Sequence, residues 1–117
     1  MGFISDALEQ IKLGQYKSAA VILEENLQDP TLKASAKIDL MEWIADCYSK
    51  DEEPGEASKW FENAARAILE SPDIPQIERK RKAIKDIDKA VDCDKARNNI
   101  EGIKRLTKLK FSLSPNL

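Results

Sequence analysis

Residues 40–64 read L-M-E-W-I-A-D-C-Y-S-K-D-E-E-P-G-E-A-S-K-W-F-E-N-A, and this stretch decides the fold. Ile38, Met41, Ile44, Ala45 and Tyr48 recur at three- and four-residue spacing, which places them on one face of a helix. The polar run from Ser49 to Gly55 interrupts that pattern. Pro54 suits the first turn of a following helix, where its fixed φ fits and its missing N–H costs nothing. Ala57, Phe61, Ala64, Ala65 and Ile68 then give a second apolar stripe. Two helices joined by so short a turn are antiparallel neighbours. The alanines let the axes approach while Tyr48 and Phe61 fill the space beside them.

The same grammar extends in both directions. Upstream, Phe3 to Leu13 sets Phe3, Ala7, Leu8 and Ile11 on one face, Gly14-Gln15 breaks the pattern, and Tyr16 to Leu27 restarts it with Ala19, Ala20, Leu23 and Leu27. Asp29-Pro30 reads as an N-cap followed by a first-turn proline. Downstream, Ser71-Pro72-Asp73-Ile74-Pro75 is a break, because each proline biases its predecessor away from helix. A fifth helix is expected from near Pro75 to Val91, with Ile77, Ala83, Ile84, Ile87 and Val91. Asp92 or Asp94 would cap a sixth, carrying Ala96, Ile100, Ile103 and Leu106. Residues 111–117, which include Pro115, read as a frayed tail, with docking of Phe111 and Leu113 back onto the body as the alternative. The expectation is one all-α domain over 1–117, in hairpins at about 3–28, 30–71 and 75–110.

The central hairpin resembles the tetratricopeptide repeat, whose pattern is W-x2-L-G-x2-Y, then A-x3-F-x2-A, then P. Met41 stands at the tryptophan, Ile44 at the leucine, Ala45 at the small residue and Tyr48 at the tyrosine. Ala57, Phe61 and Ala64 match the second helix. The flanking hairpins follow the pattern more weakly. Gln10 and Asn26 depart upstream, and Ile84 occupies the small position downstream. Ala19, Ala57 and Ala96 recur at a period a few residues longer than the family's ~34. The resemblance implies antiparallel hairpins stacked as a short right-handed solenoid of about six helices. It implies a protein–protein interaction or adaptor module, with a partner peptide or helix held in a helical groove. It does not extend to the family's carboxylate clamp. The corresponding positions hold Ile4, Leu8, Trp43, Glu78 and Lys82, of which only Lys82 carries a suitable charge.

The composition points away from catalysis. The chain contains no histidine, which removes histidine-dependent triads, Cys–His dyads and imidazole metal sites. No Walker loop, GxGxxG or GxSxG motif is present. The acidic run Asp51-Glu52-Glu53 with Glu56 lacks EF-hand order and reads as a solvated turn. No cofactor and no metal are therefore expected. Cys47 and Cys93 lack CxxC spacing, and free thiols are expected rather than a disulfide. No apolar run is long enough to span a bilayer, no signal-peptide pattern opens the sequence, and Asp6 stands where a myristoylation motif needs Ser or Thr. A cytoplasmic protein without membrane contact is the expectation.

Charge is unevenly spread. Residues 1–76 hold 7 Lys/Arg against 15 Asp/Glu, and residues 77–117 hold 12 against 6. The acidic and basic halves suggest either a protein partner or self-association between copies. A merely solvated face is the alternative. Nucleic acid is the weaker option, since the basic patch has almost no aromatic residues for base stacking. Trp43, Asp39 and Asp46 on the middle hairpin, with Arg81, Lys82 and Lys85 on the third, are the candidate partner-binding residues.

Overall fold

The computed structural model describes residues 2–113, and all six regular elements among them are α-helices: α1 (Phe3–Lys12), α2 (Tyr16–Leu27), α3 (Ala34–Lys50), α4 (Pro54–Glu70), α5 (Gln76–Ala96) and α6 (Ile100–Leu113). Each helix packs chiefly on its predecessor and its successor in sequence. The result is a flat body of 47 × 35 × 18 Å. Pro54 sits in the first turn of α4, where the sequence placed it. Cys47 is buried, Cys93 half-buried, and both are free thiols.

One turn recurs three times. The chain leaves α1, α3 and α5 through a left-handed residue, at Gly14 (φ 75°), Glu52 (φ 59°) and Asn98 (φ 56°). In each case two backbone N–H groups reach back to the last helical carbonyls. Gly14 donates to Ile11 at 2.9 Å and Gln15 to Gln10 at 2.8 Å. Glu52 donates to Ser49 at 3.1 Å and Glu53 to Tyr48 at 2.9 Å. Asn98 donates to Lys95 at 3.2 Å and Asn99 to Asp94 at 2.9 Å. This is the Schellman arrangement, which satisfies orphan carbonyls at a helix end.

Only the first of the three turns uses glycine, the residue that adopts positive φ without steric cost. Replacing Glu52 by Gly is therefore expected to raise stability by about 0.5–1 kcal/mol, while Gly14→Ala lowers it by a similar amount. Urea denaturation of the two variants checks the opposite signs.

The core runs along the stack as a line of small and branched residues. Ala7, Ala19, Ala20, Leu23, Ile44, Ala45, Ala57, Ala65, Ala83, Ile87, Ala90 and Leu106 are fully buried. Each large member contributes about 1.5–3 kcal/mol by leaving water. Alanine at the helix contacts brings the axes together, as the sequence implied. Tyr48 anchors α3 to α2 by donating its hydroxyl to Glu24 Oε2 at 2.5 Å. Between α4 and α6, Glu62 accepts from both Arg66 and Arg105. Lys110 on α6 donates to Asp88 on α5 at 2.8 Å. Part of the basic character of the third hairpin thus serves to hold α6 in place.

Several expectations need correction. The third helix starts at Ala34, not at Asp29-Pro30. Asp29 instead accepts from the Thr31 backbone at 2.9 Å and hydroxyl at 2.7 Å, and closes a turn. The fifth helix continues past Val91 to Ala96, so neither Asp92 nor Asp94 caps the sixth. Asn99 does so, its side-chain oxygen accepting from the Gly102 N–H at 3.2 Å. Phe111, Ser112 and Leu113 belong to α6 rather than to a tail, and residues 114–117 lie outside the described residues. Helices α5 and α6 together span 76–113. Leu8, Ile77 and Ile100 face solvent. The small contact residue of α5 is Ala83, one position before Ile84.

A carboxylate-and-lysine groove between α3 and α5

On α3, Ser35, Asp39 and Glu42 follow one another at four- and three-residue spacing and form an outward stripe. On α5, Lys82 and Lys85 form a facing pair. These side chains wall a groove of about 290 Å³ whose apolar floor is Ile38, Ile68 and Ile74. Carboxylates stand along one wall and ammonium groups along the other, with hydrophobic surface between them.

Three of the six candidate residues are brought together here: Asp39, Lys82 and Lys85. The other three are not. Trp43 follows Glu42 by one residue, which turns it about 100° around the helix. It lies half-buried, packed against the core, so it is not an exposed anchor. Arg81 points to solvent and donates to Glu78 on its own helix at 2.7 Å. Asp46 lies one turn beyond Glu42 on the same stripe, past the end of the groove. Its carboxyl is pushed above the usual range by desolvation, with Lys89 and Lys50 pulling the other way.

Two acidic residues that the sequence reading passed over matter more. Glu42 lines the groove directly. Behind it stands Asp86 of α5, only 2% exposed. Its Oδ2 has no hydrogen-bond donor among the described residues. Burial pushes the Asp86 carboxyl up to about 8, reinforced by its hydrogen bond with Glu42 and by that group's charge, while Lys89 opposes. The neutral acid is thus the form suited to this position, and Glu42 is its partner. The signal was present in the sequence. Ala83, Asp86, Ile87 and Ala90 share one α5 face, and Asp86 stands in its middle.

The other titratable side chains lie elsewhere. Burial pushes the Cys47 thiol up to about 11, so it remains protonated at neutral pH and is a poor nucleophile. Tyr48 is raised by burial and by its hydrogen bond to Glu24. Among the described residues, no group of three or more His, Cys, Asp or Glu side chains is arranged to hold a metal ion. No described helix is long and apolar enough to cross a membrane. Compared with protein-family models, curated proteins and solved structures, the chain matches none.

Proposed function

We propose that the chain is a non-catalytic interaction module of tetratricopeptide-like helix hairpins, holding an extended or helical segment of a partner protein in the groove between α3 and α5. The observation that carries this reading is the pairing of Asp39 and Glu42 on one wall with Lys82 and Lys85 on the other, above Ile38, Ile68 and Ile74. The recurring turn after α1, α3 and α5 supports a hairpin repeat, because it gives all three units the same internal connection. The segment that fits carries a basic residue to meet Asp39 and Glu42, an apolar residue for the floor, and an acidic residue to meet Lys82 and Lys85. Charge pairing across such a rim sets orientation and specificity, and the apolar floor supplies most of the affinity.

A displayed library of peptides with that basic–apolar–acidic order provides the test. Lys82→Glu/Lys85→Glu is expected to weaken the selected peptides at least roughly tenfold, equivalent to about 1.4 kcal/mol. Peptides with the acidic residue changed to lysine are expected to recover binding to that double variant. Equal binding by wild type and variant would remove the groove from the function.

A further inference from the structure

Histidine is absent from the chain, so a response to pH in the neutral range has to come from another group. The groove wall holds one. Glu42 lines the groove between α3 and α5, and its carboxyl is hydrogen-bonded to that of Asp86, which is 2% exposed. Two carboxyls in contact, one of them removed from water, do not both ionise, and they hold one proton between them. The pair thus reaches from the interior to the surface that a partner would touch.

The surroundings leave that proton in place. Among the described residues Asp86 Oδ2 has no hydrogen-bond donor. From α3, Asp46 adds a further negative charge beside Glu42. On α5, Lys89 favours the charged form of Asp86, but its ammonium lies over the Phe61 ring of α4, 5.5 Å from the centroid. Lys82 and Lys85 stand along the opposite wall of the groove. Glu62 of α4 is taken up by Arg66 and Arg105, and Lys110 of α6 by Asp88. A basic side chain arriving at Glu42 would supply the missing charge. It competes for the oxygens that accept the Asp86 proton, and it lowers the cost of a second negative charge beside them.

We infer that a basic side chain entering the groove at Glu42 expels the proton held between Glu42 and Asp86, so that the groove binds its partner more tightly as pH rises. The inference rests on the groove being the partner site. The free protein holds the proton more firmly than the complex does, so lowering the pH favours the free protein. Affinity climbs by up to about tenfold per pH unit through the neutral range. It levels off above about pH 8, where the free protein has itself lost the proton.

The probe is a peptide of basic–apolar–acidic order from the displayed library, with arginine as its basic residue and blocked termini. It then carries no group that titrates between about pH 6 and about pH 9. Titration calorimetry of the wild type is expected to show binding at least roughly tenfold tighter at about pH 9 than at about pH 6. Asp86→Asn mimics the protonated state, so at both pH values it is expected to bind with the weaker, low-pH affinity of the wild type. In the free wild type, the Asp86 carboxyl carbon resonance is expected at its protonated position at about pH 7, and adding the peptide should move it to the charged position. An Asp86 already charged in the free protein at about pH 6 would overturn the inference. So would a variant that keeps the wild-type pH dependence. If the library yields no peptide, the groove reading falls and the coupling with it. A peptide that binds the wild type equally at both pH values removes the coupling alone and leaves the groove as the partner site.

Discussion

At pH 8, Asp86→Asn is expected to be more stable than the wild type by roughly 2–4 kcal/mol, and at pH 4 the two should be nearly equal. The sign follows from where the proton resides. The folded protein holds the Asp86 proton up to about pH 8, because burial and Glu42 disfavour the charged form. The unfolded chain releases it near pH 3.9. Between those values the native state binds the extra proton, so wild-type stability falls as pH rises, by up to about 1.4 kcal/mol per pH unit. The stability is fully present below the unfolded value and is lost as pH climbs through the folded one. Asparagine keeps the shape and can donate to Glu42 without any proton uptake. A hydrogen bond of altered quality changes stability by only about 1 kcal/mol, so the proton term dominates. Urea denaturation at a series of pH values reads this directly. A flat wild-type profile, or a variant destabilised by the same amount throughout, would show that Asp86 is charged in the folded state.

Asp86 also shows what the sequence conceals. Helix boundaries followed from spacing at Gly14, Pro54 and the Pro72–Pro75 break, but not at Asp29-Pro30, where Asp29 closes a turn with Thr31 and the helix begins only at Ala34. They failed again where polar residues enter the core. Asp92 and Asp94 looked like the end of a helix because aspartate is usually a capping or surface residue. In the fold, α5 continues through both, and Asp94 is 1% exposed. The real boundary is Arg97-Asn98-Asn99, where asparagine takes the left-handed position. Leu8 and Ile100 were assigned to the core because spacing gives a helix an apolar face but does not say how many. α1 has two.

The candidate site was half legible for a similar reason. Asp39, Lys82 and Lys85 converge because α3 and α5 each contribute a wall to one groove. Arg81 and Trp43 neighbour those residues in sequence and fall away by helical rotation. Glu42 was hidden among ordinary surface glutamates. Its position becomes informative only once the fold brings Asp86 of α5 beside it.

The second large effect is expected at Gly102, where introducing a methyl group should destabilise the protein by about 1–3 kcal/mol and lower Tm by roughly 5–15 °C. Helix propensity alone predicts the reverse, since alanine is favoured over glycine by up to about 1 kcal/mol within a helix. Packing opposes that gain. A Cβ at Gly102 would overlap both Asp94 Oδ2 and Asn99 Nδ2. Asp94 is enclosed, with Arg97 as a nearby cation at 3.6 Å, so its carboxylate cannot swing to water without dismantling the turn. Asn99 can move, but only by releasing the Gly102 N–H that it caps, a loss of about 1 kcal/mol. The glycine therefore makes room for a buried carboxylate where α5 turns into α6. Asp94→Ala removes one of the two obstructions. In that background Gly102→Ala should cost less by about 1 kcal/mol or more, a coupling that a double-mutant cycle measures. Strictly additive effects would mean that Gly102 and Asp94 do not share this space, and that α6 is held mainly by Leu106 and the Arg105–Glu62 pair.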